Sequence, residues 1–212
     1  ELNASHADVR GLLGDRAYAA IDEATGKVAS AKNPRLWARL FDCRAALVEP
    51  PEPGHPLPPV RITLPEGRTV RSDEPGVDKA LSEVLERRVH LAASASEGAR
   101  YEEYFPDLEG LSPEGHRDTV TDLPVAEAAP PGTFFDLTAF HLLTTQTLDA
   151  LRRAYPDGRV EPRRFRPNVV VRAEGGLEGF VENQWVGRVL GIGPSLNIKV
   201  LIPTMRCVMT TL

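Results

Sequence analysis

Cysteine is scarce: Cys43 and Cys207 are the two in 212 residues. That is too few for a disulfide framework, and neither belongs to a CxxC pair. A reducing, cytoplasmic setting is therefore the expectation. There is no run of the roughly 18 to 20 apolar residues that a membrane helix needs, and no signal peptide opens the chain. No membrane partner is expected. Positive charge is not in excess either, with a net charge of −5 and a pI near 5.6. Without a broad basic field to release counterions, no nucleic-acid-binding surface is expected, which leaves room for a local basic pocket. None of the five histidines stands in HxH, HExxH or another ligand spacing, which argues against a zinc site. GxGxxG, the Walker motif and GxSxG are all missing, so dinucleotide, P-loop and α/β-hydrolase chemistry have no anchor. The chain starts "ELNASHADVR" without methionine and stops on an apolar stretch. Native residues are expected beyond both ends.

What is present fits a globular protein with a core: 42% of residues are hydrophobic and 26% charged, both ordinary for that class. "AYAAIDEATGKVAS" reads as a hairpin turning at Thr25–Gly26, and "LWARLFDCRAALVE" as a further strand. The prolines of 51–60 mark a loop, and "VRITLPEGRTVRS" a second hairpin with Glu66–Gly67 at its turn. In "VDKALSEVLERRVHL" the period changes, and Val77, Leu81, Val84 and Leu85 share one helix face. Residues 92–132 are polar with scattered Gly and Pro, the pattern of a long connection. "TFFDLTAFHLLT" (133–144) then predicts a strand, and "TQTLDALRRAYPDG" a helix with Leu148, Leu151 and Tyr155 facing inward. "RFRPNVVVRA", "WVGRVLGIG" and "LNIKVLIPTMRCVMTTL" predict the closing strands. Many strands with two isolated helices indicate a mainly β, α+β fold with barrel-like sheets, not alternating β-α-β units.

Several polar groups interrupt these apolar stretches. "GDR" brings Arg16 to the edge of the first hairpin. Thr144, Thr145 and Thr147 crowd a strand-to-helix turn, where hydroxyls cap free N–H groups. In "RFRPN", read as a strand, Arg164, Arg166 and Asn168 alternate and so share one face. "PTMRC" sets Cys207 beside Arg206, a neighbour that favours the thiolate. Helix N-termini and arginine forks both suit phosphate, and a thiolate suits a soft or high-valent metal. Together they point to an anionic, phosphate-bearing ligand that presents a metal or a sulfur acceptor. Plainer roles compete at each position. Cys207 and Cys43 can be small core residues, the threonines simple caps, His141 a core histidine, and Arg164 and Arg166 surface ion-pair partners. Arg16 has Asp15 or Asp22 as possible partners.

Taken in order, "GLLGDRAYAAIDEATGKV", "LLTTQTLDAL", "RFRPNVVV", "WVGRVLGIG" and "PTMRCVMTTL" resemble the MOSC family, the C-terminal domain of molybdenum cofactor sulfurases. The first stretch resembles the β-barrel domain that commonly precedes it. The resemblance implies an N-terminal β-barrel domain at 1–91, a connecting segment at 92–132, and a MOSC domain at 133–212 whose barrel continues past the last residue. It also implies a molybdenum ion on a pyranopterin, with Cys207 as metal ligand and catalytic residue. Arg16, Thr144, Thr147, Arg166 and Asn168 would hold the cofactor, with Arg206 beside it. The implied activity is reduction of small N-hydroxylated compounds, as in the amidoxime-reducing enzymes. A separate flavin, haem or iron–sulfur protein would donate the electrons. The alternative is a sulfur carrier or cofactor-handling protein with a persulfide on Cys207. Pyridoxal phosphate, found in fused sulfurases, has no domain here to host it.

Overall fold

A computed structural model describes residues 5–107, 115 and 117–204. The chain forms two compact units, Glu1–Ala139 and Phe140–Leu212. Strands dominate, with a few short helices, and the sheets among the described residues have two or three strands each. No closed barrel forms among those residues.

In the first unit, β1 (Ala7–Asp8) and β2 (Gly11–Leu12) make a short antiparallel pair. Next, β3 (Ala19–Asp22) enters the predicted hairpin turn. The turn holds because the buried Asp22 carboxylate takes the Thr25 hydroxyl at 2.9 Å and the Arg87 guanidinium at 2.8 Å. Gly26 supplies the positive φ of 70° that the turn requires. The returning arm contributes only a bridge at Val28, to Ile21 on one side and Tyr101 on the other. The full partner of β3 is β7 (Val89–Ala92).

The stretch read as one strand at 36–49 is mostly helical. A four-residue helix α1 (Pro34–Trp37) runs into a 3-10 turn, Ala38–Asp42, before β4 (Arg44–Leu47) begins. Asn33–Pro34 explains the difference, since proline is pre-set for the first helical position and the turn swings Trp37 into the core at 4% exposure. The hairpin β5 (Val60–Thr63) and β6 (Thr69–Arg71) is as expected and pairs with β4. Helix α2 (Val77–Leu85) also matches its periodicity and buries Val77, Ala80, Leu81, Val84 and Leu85. It stops earlier than the apolar pattern suggested, at Glu86 in a left-handed conformation, and β7 follows directly. The core joins α2 to Trp37, Val60, Ile62, Leu64 and Val89.

The presumed connection at 92–132 contains an antiparallel pair, β8 (Arg100–Phe105) and β9 (Thr119–Pro124). The inward positions of β8 are Tyr101 and Glu103. A buried glutamate breaks the apolar alternation by which strands are recognised, and Lys32 stabilises it at 3.2 Å. Residues 133–139 are not a regular strand. Phe134 and Phe135 are buried there, and the backbone carbonyls of Phe135 and Leu137 accept from Ala126 and Ala128 at 2.8 and 2.9 Å.

In the second unit, β10 (Leu142–Thr144) leads into α3 (Thr145–Ala154), and the chain returns through α4 (Pro162–Phe165) to β11 (Val169–Val171). β10 and β11 pair in parallel, Leu142 with Val169 through Thr144 with Val171. One β-α-β unit is therefore present within a chain that, as expected, does not alternate such units among its described residues; its strands are three residues each, too short to show a period. Within α3, Leu148 is buried, but Tyr155, at the cap just past its end, is 65% exposed and not inward as predicted. A 3-10 turn, Val181–Trp185, precedes the antiparallel pair β12 (Val189–Ile192) and β13 (Leu196–Lys199). Among the described residues no helix is long and apolar enough to cross a membrane.

Candidate functional site

Among the described residues of the second unit, a dense polar arrangement lies where β10 passes into α3, at the carboxyl end of a parallel strand. Thr144 caps the helix: its hydroxyl accepts the Thr147 N–H at 3.1 Å. The same hydroxyl donates to Glu182 Oε2 at 2.7 Å, and the Thr147 hydroxyl donates to that oxygen at 2.7 Å. The other carboxylate oxygen, Oε1, accepts the Thr144 N–H at 3.3 Å. Thr144 is 0% and Thr147 5% exposed. Glu182 follows Val181, which is 1% exposed and anchors the 3-10 turn. No sequence signal marked Glu182, since its partners stand 35 and 38 residues away.

Gln146 extends the β10–β11 ladder with its side chain. Its amide nitrogen donates to the Ala173 carbonyl at 2.6 Å, and its amide oxygen accepts the Ala173 N–H at 3.1 Å. Asn168 works at the opposite end of the ladder. Its side-chain oxygen accepts the His141 N–H at 2.8 Å, and its own N–H donates to the His141 carbonyl at 2.8 Å. Asn168 thus pins the start of the parallel pair.

The alternation expected for "RFRPN" is not formed. Pro162 starts the helical turn α4, which carries Arg163 and Arg164 and ends at Arg166 with φ 49° and ψ 47°. Proline at position 167 cannot continue a helix, so the chain turns at Arg166 in the left-handed region and only then enters β11. Arg164 and Arg166 therefore lie on a turn and its cap, not on one strand face. Glu161 receives Arg163 Nε at 2.5 Å, and Arg164 Nε lies 4.0 Å from the same oxygen.

Arg16 lies in the first unit, left-handed at φ 47°. Its partner is neither Asp15 nor Asp22 but Asp136, at 2.6 Å. Its guanidinium also lies 5.7 Å from the centroid of the Phe135 ring. Asp136 in turn meets Lys32 at 3.3 Å, and Lys32 reaches the Tyr101 hydroxyl at 3.0 Å. Burial opposes the Lys32 charge, but Asp136, Tyr101 and Glu103 outweigh it and raise its pKa above the ordinary lysine value. The surrounding protein likewise disfavours the Asp136 charge, yet Arg16 and Lys32 hold its carboxyl below the usual carboxylate range. Cys43 sits half-buried against the first-unit core. Burial, then the nearby Asp42 and Glu66 charges, push its thiol up, away from reactivity.

Arg206 and Cys207 lie outside the described residues. Among those described, no group of three or more His, Cys, Asp and Glu side chains could hold a metal ion. Charge divides sharply along the chain. Glu1–Ala139 carries 15 Lys and Arg against 24 Asp and Glu, whereas Phe140–Leu212 carries ten against six. Residues 131–212 match a family model described as MOSC domain. No curated protein and no solved structure matches the chain.

Proposed function

We propose, for a chain that carries a MOSC domain at residues 131–212, that this domain handles a molybdenum cofactor and that Cys207 provides its thiolate. The family match carries this reading, because the matched residues include Cys207. The cationic balance of Phe140–Leu212 agrees with an anionic ligand. Arg166, Asn168 and Arg206 are the residues proposed to hold the pterin and its phosphate. Arg16, paired with Asp136 in the first unit, joins them on the resemblance alone. Thr144 and Thr147 do not fit a phosphate, because both hydroxyl protons already go to Glu182.

The cofactor would supply two-electron reduction of an N–O bond in a small N-hydroxylated substrate, with electrons from a separate flavin, haem or iron–sulfur protein. A second reading gains support from the committed threonines. A cofactor-handling domain that carries sulfur on Cys207 needs no phosphate cradle, and a thiol beside Arg206 suits a persulfide. Metal and sulfur analysis of the purified protein separates the two. Molybdenum near one equivalent, lost in Cys207→Ala, is expected for the reductase. Cyanide-labile sulfur on Cys207 without molybdenum supports the carrier, and neither signal in intact protein refutes both.

A further inference from the structure

We propose that Glu182 is the resident anion of α3, and that Thr144 and Thr147 are its clasp and not ligands of a cofactor. The claim follows from counting protons. A threonine hydroxyl has one proton to give. That of Thr144 goes to Glu182 at 2.7 Å, while its oxygen accepts the Thr147 N–H. That of Thr147 has two acceptors in range, Glu182 Oε2 at 2.7 Å and the Gly179 carbonyl at 3.5 Å. The shorter, charge-assisted bond takes it. Both hydroxyls then have only acceptor capacity left, and a phosphate oxygen at neutral pH needs donors.

Electrostatics point the same way. The partial positive charge at the start of a helix attracts one anion, and the Glu182 carboxylate already meets the Thr144 N–H there. A phosphate placed beside it would face a like charge at a junction where Thr144 and Thr147 are themselves buried. Glu182 instead joins two segments distant in sequence. It clips the Val181–Trp185 turn onto the β10–α3 junction, and the buried Val181 fixes the angle from which it reaches in. Phosphate recognition in this unit then falls to its guanidinium groups.

The clasp does not depend on whether molybdenum is bound, so its test separates from that of the cofactor reading. In the unmodified protein, inorganic phosphate added to tens of millimolar leaves the NMR amide signal of Thr147 in place. A saturable shift there overturns the proposal. Thr147→Val and Glu182→Gln each lower the unfolding midpoint by roughly 5 °C or more, as expected for a charge-assisted bond in a small unit. The double variant falls no further than the worse single one; additive shifts, or no shift in either, overturn the proposal. Molybdenum per folded chain, where wild type holds it, stays within about twofold in Thr147→Val. A tenfold loss with an unchanged midpoint returns the threonines to the cofactor.

Discussion

A side chain's chemical type is written in the sequence, but its partner is not. Arg16 was recognisable as an unusual cation at the mouth of a hairpin, with Asp15 and Asp22 as the near candidates. Its carboxylate is Asp136, 120 residues away, while Asp22 is taken by Arg87. Glu182 escaped notice for the same reason: a single acid in "VENQW" looks solvated until the fold brings two threonine hydroxyls to it. The Asp136 cluster makes a testable pair of statements. Its carboxyl is depressed by Arg16 and Lys32 despite its crowded surroundings. The stabilisation it brings is therefore complete above the unfolded aspartate value, about 3.9, and is lost as pH falls through the lower folded value. Its side chain is 46% exposed, so solvent screens the pair and Asp136→Asn should cost only about 1 kcal/mol at neutral pH. Denaturation of both proteins at pH 7 and again near the acid limit would show the difference shrinking; a difference that persists in acid would contradict it.

At the scale of elements, long periodic stretches were legible and short ones were not. Helix α2 repeats its apolar spacing over nine residues and buries the face foreseen. Three-residue strands such as β10 and β11 have no period to read. The "RFRPN" segment misleads because its alternation of polar residues is overridden by two prolines, Pro162 just before it, which starts α4, and Pro167 within it, which cannot continue a helix. Residues 133–139 mislead in another way, since Phe134 and Phe135 are buried without a regular ladder, and the expected strand is formed only at Leu142–Thr144. The β10–β11 pair compensates for its length with side chains, Asn168 at one end and Gln146 at the other. Gln146→Ala should destabilise the protein by about 1–2 kcal/mol. Gln146→Glu should cost more, because a carboxylate cannot donate to the Ala173 carbonyl and repels it. Denaturant midpoints would rank the three proteins; a glutamate variant as stable as wild type would remove Gln146 from the ladder.

For the whole molecule, the net charge of −5 conceals the more informative division between an acidic first unit and a cationic second one. The average argues against a broad nucleic-acid surface, whereas the division favours a small anion at residues 140–212. Pyrophosphate titrated into the protein should shift amide signals around Arg166 and Asn168 and leave those of Glu1–Ala139 unmoved except beside Arg16. The effect should weaken as salt rises through about 0.15 M, where charges are screened beyond about 8 Å. Shifts confined to the first unit would count against the placement. Composition, periodicity and ordered motifs were sufficient for a strand-rich α+β chain, for its principal helices and for the MOSC likeness of residues 131–212, because these depend on local preference and on residues close in sequence. Only the folded chain decided which donors are spent. Hydrogen bonds and ion pairs act over a few ångströms, and which groups come that close depends on how β10, α3 and the turn carrying Glu182 pack together.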